Sequence, residues 1–166
     1  GDVYKRQILE IDNLSVNYKN RTIFSNASFA AARGDIIAVT GRNGSGKSAF
    51  LRVLCGLMKE KAGRIVFDGK PYPYKKRREL CYMTMQDVVH QLFSDSVWEE
   101  FSLLNKTVDE QEITKILRRL DLLDYKDKHP MTLSGGQKQR LALAVATLAN
   151  KDIMIFDEPT CLLYTS

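Results

Sequence analysis

One octapeptide constrains this chain more than anything else in it: Gly41-Arg42-Asn43-Gly44-Ser45-Gly46-Lys47-Ser48. It has the spacing G-x-x-x-x-G-K-[ST], follows the apolar run Ile36-Ile37-Ala38-Val39 and precedes a helix-spaced stretch, residues 47–57. Glycines allow successive backbone N–H groups to curl around an anion that side chains would obstruct. Here Asn43, Gly44, Ser45 and Gly46 would form that cradle. The helix behind the loop aims roughly half a positive charge at the same point. Lys47 has the reach for the β- and γ-phosphates of a nucleotide, and the Ser48 hydroxyl can ligate Mg²⁺. At ordinary residue frequencies the pattern arises by chance in about 1 in 200 chains of this length. The bland alternative is a glycine-rich turn with a surface lysine.

A second anchor stands near the other end. Ile153-Met154-Ile155-Phe156 reads as a buried strand that runs directly into Asp157-Glu158. Two carboxylates there are costly as pure structure, because charges are expensive to hide. At the carboxyl end of a strand Asp157 can hold Mg²⁺ through water, and Glu158 can polarise an attacking water. An exposed strand end is the competing explanation.

Between the anchors the pattern changes from strand to helix. Segments 8–11, 14–16, 22–29, 36–39, 64–67 and 80–85 read as strands. Residues 110–120 carry Ile113, Ile116, Leu117 and Leu120 at helical spacing, and residues 135–149 predict a helix burying Leu141, Ala144, Val145 and Leu148. Ser96 with Glu99, and Thr107 with Glu110, have the spacing of capping boxes. With 44% hydrophobic and 27% charged residues, neither a disordered nor a collagen-like chain is expected. The longest apolar candidate, residues 141–149, is bounded by Arg140 and Asn150, well short of the ~20 residues of a membrane span. Residues 1–6 lack the apolar core of a signal peptide, so an intracellular soluble domain is expected. Three widely spaced cysteines with no Cys-x-x-Cys argue for reduced thiols rather than disulfides or zinc. The net charge of +5 owes much to Lys70, Lys75, Lys76, Arg77 and Arg78, read here as a solvated loop rather than a patch for lipid or nucleic acid. His90 and His129 stand far apart and are read as packing or solvent residues, not metal ligands.

Leu133-Ser134-Gly135-Gly136-Gln137 opens the 135–149 helix with free N–H groups and a hydroxyl suited to an anion, although an N-cap followed by flexible glycines fits the same residues. With the phosphate loop before it and the acidic strand after it, the sequence resembles the ATP-binding-cassette (ABC) ATPases, whose signature is this pentapeptide. The resemblance runs over residues 8–160. It implies an α/β fold: a P-loop NTPase core with an N-terminal antiparallel β subdomain and an inserted α-helical subdomain that carries the signature. It further implies that Tyr18 stacks on the adenine of ATP and that Gln86 contacts Mg²⁺ and the attacking water. Ser134, Gly135, Gly136 and Gln137 would then meet the γ-phosphate held by a second cassette. The implied catalytic residues are Glu158 and Gln86, and the implied metal contacts Ser48, Gln86 and Asp157.

Gln91-Leu92-Phe93-Ser94 with Val97-Trp98-Glu99-Glu100 is similar to the ATPases of energy-coupling-factor importers. That resemblance implies ATP hydrolysis at the cytoplasmic face of a membrane. The partners would be a second ABC ATPase domain and a transmembrane scaffold, with vitamins or metal ions as cargo and no nucleic acid. Leu92 and Phe93 serve equally well as core residues of the helical insert. Where the family continues Ser-Gly-Leu-Asp, this chain has Cys161-Leu162-Leu163-Tyr164-Thr165-Ser166, and no histidine follows the acidic strand. Residues 1–7 and 161–166 are read as non-native ends of an incomplete domain, and the 166-residue chain is expected to be inactive by itself. The alternatives are a soluble ABC-type ATPase acting on ribosomes or DNA, and a fragment that only binds nucleotide.

Overall fold

The computed structural model describes residues 6–84, 92–104 and 108–157, and the chain divides into two compact units, Gly1–Cys81 and Tyr82–Ser166. In the first, β1 (Gln7–Tyr18), β2 (Arg21–Ala32), β3 (Ala62–Phe67) and β4 (Lys70–Pro71) form an antiparallel sheet of order β2-β1-β3-β4. The segments expected at 8–11 and 14–16 are one strand with a change of parity. Leu9 and Ile11 face inward, the register shifts, and Leu14 and Val16 face inward after it. An extra residue in a strand exchanges its faces, so the bulge is what keeps both apolar pairs in the core. Asn13 and Asn26 sit at positive φ in the irregular stretch, and their N–H groups donate to Ser28 Oγ (2.8 Å) and Ser15 Oγ (3.0 Å). Gly63 lies against the same bulge: a Cβ there would come within 2.5 Å of the Asn13 carbonyl oxygen. Two-residue turns with both residues at positive φ, Lys19-Asn20 and Asp68-Gly69, close the hairpins.

Helix α1 (Lys47–Leu54) is three residues shorter than its spacing predicts, because Cys55 caps it and Gly56 turns away at φ +70°. Phe50 seats it on β2, with ring centroids 5.9 Å from Phe24 and 5.8 Å from Phe29. The strand expected at Ile36-Ile37-Ala38-Val39 is absent, and Ile36 is fully exposed. An apolar run becomes a strand only where a neighbour supplies ladder bonds. Among the described residues no strand pairs with it.

The basic run also departs from expectation. Lys70, Lys75, Lys76 and Arg78 are exposed, but Arg77 is 1% exposed. It opens the short α2 (Arg77–Leu80) and forms a bidentate pair with Glu60, 2.7 Å in each bond. Its Nε donates to the Tyr72 carbonyl (2.9 Å) and its Nη1 to that of Val53 (3.2 Å). Arg78 Nε donates to the Gly56 carbonyl at 3.4 Å, and Cys81 Sγ to that of Leu54 at 3.4 Å. A helix leaves its last carbonyls without intrahelical partners. Here a collar of side chains from residues 77–81 satisfies those at the end of α1.

Cys81, the last residue of the first unit, opens β5 (Cys81–Thr84), whose other residues lie in the second unit, and β5 pairs with β6 (Ile153–Phe156). Of β6 only Ile155 is buried, so the strand predicted to be buried throughout shows one inward face. Helix α3 (Glu110–Arg119) buries Ile113 and Leu117, and α4 (Gly135–Ala149) buries Leu141, Ala144 and Val145, where the periodicity predicts. Leu148, Ile116 and Leu120 pack at the margin of the same core, which Leu92, Val97, Phe101, Leu122 and Leu133 complete. Asp109 caps α3 by accepting the Gln111 N–H, while Thr107 lies outside the described residues. Ser96 Oγ does accept the Glu99 N–H (3.2 Å), but it opens only a five-residue 3-10 turn, Glu99–Leu103. His129 caps the Pro130–Thr132 turn through Nδ1, and His90 lies outside the described residues. No helix among the described residues is long and apolar enough to cross a membrane.

Candidate nucleotide-binding site

The loop between β2 and α1 is built around one side chain. Lys47 folds back so that its Nζ donates to the carbonyls of Gly41 (2.7 Å) and Arg42 (3.0 Å). The Ser45 N–H donates to the Arg42 carbonyl (3.1 Å), turning the chain over Asn43 and Gly44. Gly46 is the position that tolerates no other residue. Its φ is +95°, and a Cβ would fall 2.7 Å from Ile23 Cγ2 and 3.3 Å from Phe24 Cδ1. A glycine is therefore required for the backbone and for packing on β2 together. The first α1 bond runs from Phe50 N–H to the Gly46 carbonyl, and no side chain caps the helix. First-turn N–H groups and a lysine ammonium thus share one end of α1, which also carries Ser48, an arrangement chemically able to hold a phosphate.

Tyr18, in the same unit, ends β1 and is 56% exposed. Lys19 Nζ lies 5.5 Å from the centre of its ring. That exposure suits a stacking role better than a core role, with the lysine over one face.

In the second unit Ser134 is the N-cap that the sequence offered as one reading, and Gln137 adds the return bond that makes it a reciprocal capping box. Ser134 Oγ accepts the Gln137 N–H (3.3 Å), and Gln137 Oε1 accepts the Ser134 N–H (2.8 Å). The two readings of this pentapeptide, cap and anion contact, are compatible. Both side chains use acceptor atoms in the box, so the hydroxyl proton and the amide NH₂ remain as donors. Gly135 and Gly136 are helical, and a Cβ at either would meet nothing within 4 Å. Glycine weakens a helix by roughly 0.8–1.0 kcal/mol relative to alanine. No neighbour among the described residues requires it here.

Asp157 follows β6 as predicted, and its N–H donates to the Thr84 carbonyl (3.2 Å). Thr84 Oγ1 donates to the Ile155 carbonyl (3.4 Å), fixing the end of the strand. Gln86 and Glu158 lie outside the described residues. Leu92 is core, whereas Phe93 is 75% exposed.

Sequence reasoning did not find the buried acid Glu100, 2% exposed. Its Oε1 accepts the Ser94 N–H at 2.8 Å. Burial raises this carboxyl above its usual range, and the backbone bonds from Ser94 and Phe93 and the charge of His129 offset only part of that. Burial and the nearby Glu100 charge also push the Tyr82 phenol up. Nothing local marks Glu100 as buried except its place between Val97 and Phe101, at helical spacing.

Known proteins with similar sequences and folds identify the family. The family described as ABC transporter matches residues 24–161. A putative ABC transporter ATP-binding protein of Treponema denticola is 50% identical over 90% of this chain and 31% of its own length. The energy-coupling factor transporter ATP-binding protein EcfA1 of Fusobacterium nucleatum is 34% identical over 94% of this chain and 63% of its own. The solved structure of cbiO1 from Clostridium perfringens, part of the ABC transporter complex cbiONQ, superposes with a TM-score of 0.81 at 33% identity. It covers 94% of this chain and 67% of that one. The chain thus spans between about a third and two-thirds of the length of these curated relatives. Since the family match takes in the phosphate loop, the signature and the acidic strand, this chain belongs to the ABC transporter family.

Proposed function

We propose that this chain is the nucleotide-binding part of an ATPase subunit that powers a membrane importer of the energy-coupling-factor type, taking up vitamins or metal ions. The observation that carries the reading is the phosphate loop folded with Lys47 across its mouth. Relatives named as energy-coupling-factor ATPases supply the transporter class. The transmembrane scaffold would be a separate polypeptide, with this ATPase peripheral at the cytoplasmic face.

On this reading Tyr18 stacks on adenine, and the backbone from Asn43 to Gly46 holds the phosphates. Lys47 exchanges its loop carbonyls for the β- and γ-phosphate oxygens. Ser134, Gly135, Gly136 and Gln137 turn their donors to the γ-phosphate of a second cassette. The donor set of Ser48 hydroxyl, Asp157 carboxylate and Gln86 carbonyl is all hard oxygen, which fits Mg²⁺. When bound, that ion would neutralise charge developing on the phosphates. Glu158 takes the proton of the attacking water, and Gln86 orients that water.

Lys47→Ala tests the nucleotide assignment. A charge-assisted bond to phosphate is worth about 1.5–3 kcal/mol, so ATP affinity should fall roughly ten- to a hundred-fold in a titration. Superimposable curves for wild type and variant would remove the assignment. For the transporter assignment, the intact protein should co-purify with membranes; recovery with ribosomes would favour a soluble ATPase.

Gly135→Ala with Gly136→Ala separates folding from function. With open space at both positions, the urea midpoint of the pair variant should hold or rise. Hydrolysis by the intact protein should nonetheless drop, because two methyl groups would stand where a second cassette brings phosphate. A lowered midpoint, or full activity, would count against a recognition role for these glycines.

A further inference from the structure

Cys55 and Cys81 are both buried, at 4% and 8% exposure, and neither is held in a disulfide. They belong to one unit, and the fold brings their sulfurs together. Cys55 caps the C-terminal end of α1, and Cys81 is the first residue of β5. Cys81 Sγ donates to the carbonyl of Leu54, the residue next to Cys55. The collar around the end of α1 fixes this approach. Arg77 and Arg78 bond the carbonyls of Val53 and Gly56 on either side, and a Cβ at Gly56 would lie 2.6 Å from the Tyr74 carbonyl oxygen.

We infer that Cys55 and Cys81 form a latent dithiol, which a peroxide converts into an intramolecular disulfide linking the end of α1 to the start of β5. Packing holds the partners in place, so oxidation requires no search. The electrostatics favour Cys55 as the attacking sulfur. Its hydrogen bond with Cys81 holds the Cys55 thiol below the ordinary range, against the burial that would raise it. Helix C-terminal carbonyls normally disfavour a thiolate, but here the Arg77 and Arg78 guanidinium groups bond those of Val53 and Gly56.

The steps balance with hydrogen peroxide as oxidant. The Cys55 thiolate attacks one peroxide oxygen, the O–O bond breaks, and the departing hydroxide takes up a proton as water. This leaves a sulfenic acid on Cys55. The Cys81 sulfur then attacks the Cys55 sulfur; an S–S bond forms, the S–O bond breaks, and a second water leaves with the Cys81 proton. Two thiols and one peroxide give one disulfide and two waters.

The experiment uses the purified 166-residue chain, reduced, desalted and exposed to hydrogen peroxide, then unfolded in iodoacetamide and mapped by mass spectrometry. A crosslink between the Cys55 and Cys81 peptides is expected, about 2 Da below the sum of the reduced pair, the mass of the two hydrogens lost. Dithiothreitol should reverse it. It should persist in Cys161→Ser and vanish in Cys55→Ser and in Cys81→Ser. Oxidised protein should also unfold at a higher temperature than reduced protein, since the link constrains the unfolded chain. Alkylated Cys55 and Cys81 after treatment, links chiefly through Cys161 or between chains, or a lowered unfolding temperature would each overturn the inference. Oxidation in concentrated urea is the control: there the 55–81 link should form more slowly, with links through Cys161 rising beside it, and an unchanged rate and yield would show that the fold does not direct it.

Discussion

In the intact protein, Glu158→Gln should reduce steady-state ATP hydrolysis by about 10²-fold or more while nucleotide still binds. The substitution keeps the size of the side chain and its ability to hydrogen-bond. It removes only the negative oxygen that, on the proposed function, would accept a proton from water. On the proposed function binding would depend on the phosphate loop, and hydrolysis additionally on that carboxylate, so the two measurements should separate. Phosphate release read beside retained nucleotide on gel filtration makes the comparison. Trapped ATP should hold paired cassettes together, and the variant should elute as a dimer. Turnover equal to wild type would show that another group accepts the proton.

Arg77→Ala should cost about 3–5 kcal/mol, a large part of the ~5–15 kcal/mol that stabilises a domain. The loss exceeds that of an ordinary ion pair because four bonds go at once. It strands Glu60, whose side chain is only 17% exposed, takes the Arg77 bond from the Tyr72 carbonyl, and leaves the Val53 carbonyl with the Gly56 N–H. Lysine should not rescue the site, since an ammonium cannot fork between two carboxylate oxygens and still reach Tyr72 and Val53. Urea unfolding followed by far-UV circular dichroism would reveal the shift, and an unmoved midpoint would contradict the buried clamp. The pH dependence has a definite sign. Burial alone would raise the Glu60 carboxyl, but its bonds to Arg77, its backbone bond and the charges of Arg77 and Lys59 outweigh that and lower it. A depressed carboxylate gives its full stabilisation above its unfolded value, about pH 4.3, and loses it as pH falls through the folded one. Glu100, raised rather than lowered, contributes in the opposite direction. Its contribution is greatest in acid and is lost as pH rises through its folded value.

The parts of the fold legible beforehand are those whose signals are local. Helix α4 begins and ends at the predicted residues because Ser134 caps it and Asn150, at positive φ, terminates it. The glycines of the loop before α1 were legible from their spacing, and Gly46 is held to glycine by its positive φ and its packing on β2. What stayed illegible depends on distant partners. Arg77 and Glu60 are 17 positions apart, and nothing in a run of lysines and arginines shows which one turns inward. The parity change in β1 was visible only as two short strands, because a bulge resembles a gap until the opposing strand is known. Ile36-Ile37-Ala38-Val39 shows the reverse error: composition promised a strand, but strand formation is decided by neighbours. Cys55 and Cys81 were read as reduced thiols, which they are, but sequence spacing did not show that the fold brings them near each other.

The phosphate loop carries a counter-charge of its own. With the Lys47 ammonium bonded to the Gly41 and Arg42 carbonyls, the loop is a closed electrostatic circuit rather than a slack one. An arriving polyphosphate therefore does not have to order a floppy segment. It competes with two neutral carbonyl dipoles for one cation, a contest that an anion wins by charge. Small neutral polar molecules hold no such advantage over a carbonyl. On the proposed function, the lysine assigned to phosphate would thus also screen the loop against weaker acceptors.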